Sequence, residues 1–311
     1  MIPALLASAA ALIAGLAIFS RVAARRIERN VPADGLFVTI DGIRLHYSDH
    51  GHGPAIVMIH GLCGQMRNFS YALTDQLIAD HRVILVDRPG SGYSAAAPSA
   101  AIPAQAKLIA GLIDALELDR PLVVGHSLGG AVALALALDH PDKVSGLALL
   151  APLTQPQDSV PRAFQAIAIA SPAVRRAVAW TIATPLGLLS GSKGTDAVFA
   201  PEPAPADFGT RGGGTLTLRP GAFHAASTDL AATRADMTAL AARYGELSVP
   251  VAVLYGRDDV ILAPELHGAK IAADVPRVEL TLIPGGHMIP VTASDQVAEW
   301  IKGRIVVSAE A

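Results

Sequence analysis

The sequence is poor in cysteine, in charge and in aromatic residues. Cys63 is the single cysteine among 311 residues, so no disulfide can form within the chain. Charged residues make up 16% and aromatic residues 5%, the formal net charge is -3, and no long basic or acidic run occurs. A nucleic-acid partner is therefore not expected. Since 51% of the residues are hydrophobic, the sequence predicts a folded chain with a large buried core.

The N-terminal segment differs from the rest of the chain. Ile2 to Ser20 carries no charged side chain, and nineteen helical residues at ~1.5 Å each span roughly the hydrocarbon core of a bilayer. The arginines that follow at once are Arg21, Arg25, Arg26 and Arg29. We predict a membrane-spanning segment over residues 1–20, rather than a buried core helix or a cleaved signal peptide with its positive charge before the apolar run. The arginines place the main domain in the cytoplasm.

Strand-like and helix-like segments alternate after a predicted polar linker over residues 21–35. Ala55–Ile59 is continuously apolar, as expected for a strand that is covered on both faces. Further strand candidates are Phe37–Ile40, Ile43–Tyr47, Arg82–Val86, Pro121–Val124, Gly146–Leu150, Val251–Tyr255 and Val278–Ile283. The alternation predicts an α/β fold with a mostly parallel sheet and helices on both faces. Because no strand candidate lies in the first thirty residues, deletion of Met1 to about Arg29 is expected to leave a soluble, active domain.

One segment interrupts this alternation. Residues 152–236 contain apolar helical stretches and a section rich in proline and glycine, but no clear strand. A gap of this length between two core strands is too long for a loop, so we interpret it as an inserted helical lid. The lid divides the core into a first part over 36–151 and a second part over 237–305, which a tail over 306–311 follows.

A motif with the pattern G-x-S-x-G lies before the lid. Gly125-His126-Ser127-Leu128-Gly129 follows an apolar strand candidate and precedes a helix candidate rich in alanine and leucine. In this context the motif predicts a tight turn that lifts the Ser127 hydroxyl out of the backbone, with glycines that let strand and helix approach closely. The N–H of Leu128 is expected to act as one oxyanion donor at this turn.

A serine nucleophile needs a base, and the base needs a carboxylate to orient it. His287 lies in a glycine loop directly after the last strand candidate, and thus at the strand end where active sites of parallel sheets lie. The loop after the preceding strand offers two carboxylates, Asp258 and Asp259. Ser127, one of these acids and His287 follow each other in an order known for such triads.

Together these motifs resemble the α/β-hydrolase superfamily over about Leu36 to Ile305. His60-Gly61-Leu62-Cys63-Gly64 is similar to the family's HG-x oxyanion turn after the third strand. Asp87-Arg88-Pro89-Gly90-Ser91-Gly92-Tyr93-Ser94 is similar to its D-x-P-G-x-G-x-S loop after the fourth. The resemblance implies the α/β-hydrolase fold with an inserted lid.

The resemblance also implies particular site residues. In such enzymes the acid stands three residues after the glycine that ends the seventh strand, which selects Asp259 when counted from Gly256. The second oxyanion donor implied is the backbone N–H of Leu62. Epoxide hydrolases and haloalkane dehalogenases of this family use an aspartate where this chain has Ser127, so the resemblance speaks against those two activities.

The catalytic triad Ser127, Asp259 and His287 predicts a serine esterase-like hydrolase that acts on a carboxylic ester, thioester or lactone through an acyl-enzyme. C–C bond hydrolysis, acyl transfer and perhydrolysis are alternatives on the same triad. A non-catalytic binding protein is a different class, and it would be expected to have lost a triad member. The apolar lid and the membrane segment indicate a small-molecule substrate with an apolar acyl group. The sequence leaves the oligomeric state open.

No metal and no other cofactor are expected. The remaining histidines show no metal-ligand spacing, and the Gly90 and Gly92 loop lacks the Lys-Ser/Thr of a phosphate-binding loop. Cys63 is expected to pack as a small apolar residue, because no motif places a histidine beside it.

Overall fold

The structure, a computed structural model, describes residues 2–305, so the predicted tail at 306–311 lies outside the described residues. The strands are β1 (Leu36–Ile40), β2 (Ile43–His50), β3 (Ala55–Ile59), β4 (Arg82–Val86), β5 (Leu122–His126), β6 (Gly146–Leu150), β7 (Val251–Gly256) and β8 (Val278–Ile283). They form one sheet in the order β1-β2-β4-β3-β5-β6-β7-β8. β1 and β2 form an antiparallel hairpin, β2 is antiparallel to β4, and the pairings from β4 to β8 are parallel. This is the α/β-hydrolase fold that the motifs predict.

The helices of the described residues are α1 (Ile2–Asn30), α2 (Arg67–Ser70), α3 (Ile102–Ala115), α4 (Leu128–Asp139), α5 (Pro172–Trp180), α6 (Ala183–Ser190), α7 (Lys193–Phe199), α8 (Pro220–Ala241), α9 (Lys270–Asp274), α10 (Ile289–Thr292) and α11 (Ser294–Lys302). Short 3₁₀ turns connect several of them, among which Gly214–Leu218 precedes α8.

The sheet is covered on both faces, and its strands show this residue by residue. Successive side chains of a strand point to opposite faces. In β3, Val57 and Ile59 join a large core cluster with α3 and α4, whereas Ile56 and Met58 join a second cluster with α11. Both clusters are closed to solvent, which explains why β3 is apolar throughout rather than alternating.

The predicted lid corresponds to the helices between β6 and β7. α5, α6 and α7 are short, and α8 is the longest helix of this insertion. The predicted boundary at residue 236 falls inside α8, which continues to Ala241 before the chain returns to the sheet.

α1 differs from the prediction for residues 21–35. The helix does not end at the arginines but continues to Asn30, so most of the predicted linker is helical. The side of α1 that is turned toward the body is a stripe at helical spacing: Leu16, Ser20, Ala23, Ala24, Ile27 and the following Val31. Ile27 and Val31 are buried with Leu216, and Ser20 Oγ donates a hydrogen bond of 2.9 Å to the carbonyl of Thr181.

This packing gives the second half of α1 a structural contact with the domain that the expected soluble, active truncation did not take into account. Deletion up to Arg29 would remove Ile27 from its contact with Leu216, and it would break the 3.0 Å ion pair between Glu28 and Arg219. The sequence could not show this, because the apolar side chains of the stripe are few and lie between arginines. Residues 2–15, by contrast, are exposed along their whole length.

Candidate active site

The three predicted catalytic side chains lie at one edge of the sheet. Ser127 follows β5 directly, Asp259 follows β7, and His287 follows β8. β5, β6, β7 and β8 are neighbouring parallel strands, so their carboxyl ends meet at the same edge. This is the edge at which open parallel sheets carry their sites.

Ser127 occupies a sharp turn between β5 and α4. Its backbone has φ of 54° and ψ of -120°, a conformation that is costly for a residue with a side chain. The backbone holds the turn from both sides, since the Ser127 N–H donates to Leu150 at 3.0 Å and the Ser127 carbonyl accepts from Leu153 at 2.9 Å. A Cβ on Gly125 would lie 2.6 Å from the carbonyl oxygen of Gly129, so the turn requires glycine there. The hydroxyl is thereby placed beyond the end of the strand.

His287 and Asp259 form a buried hydrogen-bonded pair. His287 Nδ1 lies 2.7 Å from Asp259 Oδ2, and both side chains are almost fully closed to solvent. The other carboxylate oxygen accepts the backbone N–H groups of Ile261 at 2.8 Å and Leu262 at 2.9 Å. Burial by itself raises the pKa of Asp259, but His287 and the two N–H donors outweigh it and hold the pKa below its usual value. Asp259 is therefore ionised at neutral pH, and the Nε2 atom of His287 is left for proton transfer.

The second candidate acid is oriented differently. Asp258 is exposed, and its backbone N–H donates to the carbonyl of Gly285 at 2.9 Å. The structure thus brings Asp259, and not Asp258, to His287.

Ser127 and His287 line the same cavity. Within residues 2–305, Ser127 Oγ makes no hydrogen bond to His287 in this conformation; such contacts often tighten only around bound substrate. The imidazole rings of His126 and His287 are tilted against each other with their centroids 4.9 Å apart, and His126 Nε2 lies 3.0 Å from the His287 carbonyl oxygen. His126 therefore holds the main chain of His287, as a donor through Nε2–H.

The predicted oxyanion donors, Leu62 and Leu128, lie on either side of Ser127. Leu128 begins α4, where backbone N–H groups lack intrahelical acceptors, and Leu62 lines the cavity in the turn after β3. Among the described backbone hydrogen bonds, none is donated by either of these two residues. Gly61 brings the turn close to Ser127, because a Cβ on Gly61 would lie 2.8 Å from that of Ser127.

A buried arginine supports this turn, and sequence reasoning missed its role. Arg88 donates through Nε to the carbonyl of His60 at 2.9 Å and through Nη2 to that of Gly61 at 3.0 Å. Its Nη1 atom lies 2.8 Å from Asp229 on α8, and both side chains are buried. Burial raises the pKa of Asp229, which the charge of Arg88 and the hydrogen bonds from Arg88 and Gln105 partly oppose. The Arg88–Asp229 pair joins the turn after β3 to the lid. Of the two residues, only Arg88 belongs to a sequence motif, the loop after β4.

Glu202 is a second contact that the sequence did not predict. This lid residue accepts the backbone N–H of Gly286 with both carboxylate oxygens, each at 3.1 Å. It therefore tethers the loop that carries His287 to the lid. The only signal in the sequence is an acidic residue inside the proline-rich stretch at 201–205.

Three other groups near the site stay neutral. Burial lowers the pKa of His60 and of His126 to about 3, with help from the charge of Arg88 on His60 and of His287 on His126. Burial and the charge of Asp229 raise the pKa of the Cys63 thiol to about 12. Cys63 therefore stays a protonated thiol at neutral pH. In residues 2–305 no three His, Cys, Asp or Glu side chains are grouped to hold a metal ion.

The cavity has a volume of about 560 Å³ and lies between the sheet edge and the lid. Its apolar walls are formed by Leu62, Phe164, Val198, Phe199, Phe208, Leu218 and Met288. Asp196 is the one acidic residue among the described lining residues, and no lysine or arginine is found among them. The cavity is thus suited to an uncharged, largely apolar group.

Comparisons with known proteins agree with this fold. Residues 54–294 match the sequence model of the alpha/beta hydrolase fold family. RutD of Variovorax paradoxus (strain S110), a protein named for carbamate hydrolysis, is 32% identical over 264 residues, which are 80% of this chain and 91% of RutD. A 2-hydroxy-6-oxo-6-phenylhexa-2,4-dienoate hydrolase from Burkholderia cepacia is 27% identical over 80% of this chain and 87% of its own.

A solved structure is similar over almost its whole length. The thermophilic esterase from Thermogutta terrifontis superposes with a TM-score of 0.68 at 26% identity, covering 88% of this chain and 98% of the esterase. The chain belongs to the alpha/beta hydrolase family, and it is a hydrolase.

Proposed function

We propose that this hydrolase cleaves a neutral ester-like bond, in a carboxylic ester, thioester or lactone, through an acyl-enzyme on Ser127. The observation that carries the proposal is the cavity: Ser127 and the hydrogen-bonded His287 open onto a space of about 560 Å³ with largely apolar walls. A neutral acyl group fits such walls, and the hydrolysed bond would lie beside Ser127.

The proposed reaction has two halves. Ser127 Oγ attacks the carbonyl carbon while its proton passes to Nε2 of His287, and the backbone N–H groups of Leu62 and Leu128 stabilise the oxyanion. The leaving group takes that proton as the bond to the carbonyl carbon breaks. Water then attacks the acyl-enzyme and gives a proton to His287, and His287 passes this proton to Ser127 Oγ as the bond between Oγ and the acyl carbon breaks and the acid leaves. Asp259 orients the imidazole and stabilises its charged form throughout.

C–C bond hydrolysis is the second candidate, because relatives are named as dienoate hydrolases. Their named substrates carry a carboxylate, and burying a carboxylate without a cationic partner is costly. Among the described residues that line the cavity there is no lysine or arginine to pair with it. The cavity therefore favours the neutral ester over the dienoate. Acyl transfer and perhydrolysis would differ from hydrolysis only in the second half, in which an acceptor other than water resolves the acyl-enzyme.

The test is a substrate panel after active-site labelling. A fluorophosphonate probe should label the wild type and should fail to label Ser127→Ala. 4-Nitrophenyl esters of graded acyl length should then be compared with a 2-hydroxy-6-oxo-dienoate. We expect kcat/KM to be higher for the esters; labelling without ester turnover but with dienoate cleavage would reverse the order of the two candidates.

We further propose that α1 anchors the protein in a membrane, with the catalytic domain in the cytoplasm. α1 is long and apolar enough to cross a bilayer, with a mean hydropathy of 2.3 over its apolar window. Its second half packs on the lid, which favours a retained anchor over a cleaved signal sequence. The charge of Arg21, Arg25, Arg26 and Arg29 favours the cytoplasmic side for the domain.

Two truncations and a reporter test the anchor. The full chain should resist extraction from membranes by carbonate, whereas a chain without residues 2–15 should be soluble and active. A chain without residues 2–30 should be soluble but less stable, because it loses Ile27 and Glu28. A C-terminal reporter that works only in the periplasm should stay silent; an active reporter would overturn the cytoplasmic placement.

A further inference from the structure

The lid carries an exposed apolar edge that the catalytic site does not use. It is formed by the end of α5 and by α6, and its members are Trp180, Ile182, Leu186, Leu188 and Leu189. Leu189 is 83% exposed and Leu186 is 58% exposed, although both are large aliphatic side chains. So many exposed apolar side chains on about ten consecutive residues are unusual on a surface that faces only water.

This apolar lid edge lies beside the last part of the apolar segment of α1. Ser20, the final residue of that segment, is buried and donates its hydroxyl to the carbonyl of Thr181, which connects α5 and α6. Leu16 and Ala17, one turn earlier, are half-buried, and residues 2–15 are exposed. The body of the protein therefore begins at Leu16, before the apolar segment has ended.

The length of α1 then fixes how deep the lid lies. The free residues 2–15 extend only about 21 Å at 1.5 Å per residue. The hydrocarbon core is about 30 Å thick, and the whole segment over residues 2–20 is needed to span it. If α1 crosses the bilayer, the five residues from 16 to 20 enter it together with the structure packed beside them, to a depth of about 7 Å.

We propose that the apolar lid edge lies in the bilayer interface and admits a membrane-borne acyl ester from the bilayer to the cavity. The identity of the substrate in this inference rests on the proposed function, whereas the contact of the apolar lid edge with the membrane does not. Trp180 would lie at the depth where tryptophan is enriched in membrane proteins. The exposed Arg21, Arg25 and Arg26 follow Ser20 within two turns, at the level of the headgroups, and would pair with lipid phosphates.

The same helix that forms the edge also borders the catalytic cavity. Ser190, Gly191 and Ser192, directly after Leu189, line the cavity beside Leu218. Thr184 Oγ1 donates to the carbonyl of Leu218 at 2.8 Å and holds α6 against this wall. An acyl chain that leaves the bilayer at Leu189 would therefore meet the rim of the cavity at the residues that follow it in sequence.

The membrane contact is tested by fluorescence in liposomes of the full chain. The sequence has two tryptophans, Trp180 and Trp300, so Trp300→Phe leaves Trp180 as the only reporter. Brominated phosphatidylcholines should quench Trp180, most strongly when the bromines are close to the headgroup. The matched protein with Trp180→Phe should show little quenching of Trp300. Equal quenching of the two tryptophans, or none of Trp180, would overturn the contact.

The delivery of substrate is tested with paired variants. Leu186→Ser/Leu189→Ser removes two members of the apolar lid edge, whereas Leu266→Ser/Leu282→Ser removes two leucines exposed on the core, at 43% and 40%. We expect the first pair to lower hydrolysis of a long-chain ester carried in vesicles about tenfold and to leave 4-nitrophenyl acetate hydrolysis unchanged. The control pair should change neither.

The outcomes separate the two proposals. Equal effects of both pairs on the vesicle-borne ester, or equal loss on the two substrates, would contradict delivery through the apolar lid edge. If the wild type cleaved no ester at all, the proposed function would fail, and the quenching of Trp180 would still decide the membrane contact.

Discussion

α4 and α6 are both apolar helices at the cavity, yet their surroundings differ in almost every respect. In α4, the first ten residues from Leu128 to Ala137 are all buried between the sheet and α3. In α6, only Thr184 is buried, and Leu186, Leu188 and Leu189 are exposed. One helix holds Ser127, the proposed nucleophile, from inside the core, and the other covers the cavity from the surface.

The difference separates two tasks: positioning of the reacting atoms on the side of the sheet, and enclosure of the cavity by the lid. Groups that must hold reacting atoms within tenths of an ångström belong to the sheet side, where burial and hydrogen bonds leave one arrangement. Most of the apolar walls of the cavity belong to the lid, whose short helices also carry exposed apolar side chains. Variants of each side should therefore fail in different ways.

The largest effect is expected at Ser127 and His287, the proposed nucleophile and base. Ser127→Ala and His287→Ala should each lower kcat by roughly 10⁴- to 10⁶-fold, and the double variant should be little worse, because the residues act as a unit. Steady-state kinetics with a soluble ester measures this, with circular dichroism as the control for folding. Near-normal activity in Ser127→Ala would place the nucleophile elsewhere.

Substitution of Asp259, which is hydrogen-bonded to His287, should have the next largest effect. Asp259→Asn should lower kcat by about 10⁴-fold, because the amide no longer holds the imidazole in the required tautomer. Asp258→Asn is the matched control next to it, and its exposed side chain should make it nearly silent. A large loss in the control and a small one in Asp259→Asn would exchange their roles.

The ion pair between Arg88 beside the sheet and Asp229 on α8 of the lid can be broken at Asp229. Asp229→Ala leaves the Arg88 guanidinium buried without its partner, and should lower the free energy of unfolding by about 3 to 5 kcal/mol. Asp139→Ala breaks the exposed pair with Arg243 and should cost about 1 kcal/mol or less. Urea unfolding of both variants measures the two losses of unfolding free energy. Equal losses would show that the buried Arg88–Asp229 pair contributes no more stability than an exposed ion pair.

Over the interval from pH 7.5 to 5.5, the smallest effect is a pH dependence of stability that comes from two histidines buried beside the sheet. Folded His60 and His126 have pKa values near 3, so below about pH 6.5 the unfolded chain binds protons that the folded chain does not. The free energy of unfolding should therefore decrease from pH 6.5 toward 3, by up to about 1.4 kcal/mol per pH unit for each histidine. His126→Gln keeps an N–H donor for the His287 carbonyl and should reduce this slope by one histidine's share. Urea unfolding at pH 7.5 and 5.5 measures it, and an unchanged slope would contradict the burial of a neutral His126.

The core was predictable because its signals are local. Ala55–Ile59 and Arg82–Val86 have the bounds of β3 and β4, since a strand that is buried on both faces has an unbroken apolar pattern. The position of Ser127 followed from glycines that a tight turn requires. Asp259 needed more than the pattern, because Asp258 is as close in sequence and only the resemblance separated the two.

What the sequence could not predict depends on partners that are distant along the chain. Arg88 and Asp229 are 141 residues apart, and Glu202 and Gly286 are 84 apart. The second half of α1 was interpreted as a linker because its arginines dominate the composition, while the stripe that packs on the lid consists of only a few small or aliphatic side chains. In each case a tertiary contact, and not a local propensity, determines the structure.

The Arg88–Asp229 pair also limits how the enzyme can open. If α8 moved away from the sheet, it would separate the two charges inside a site that is closed to water, at a cost of several kcal/mol. The same guanidinium holds the carbonyls of His60 and Gly61, so the turn that carries Leu62 shares its buried arginine with α8. We therefore expect α8 to stay in place when the cavity opens. Movements that admit substrate or release product are expected in α5, α6 and α7.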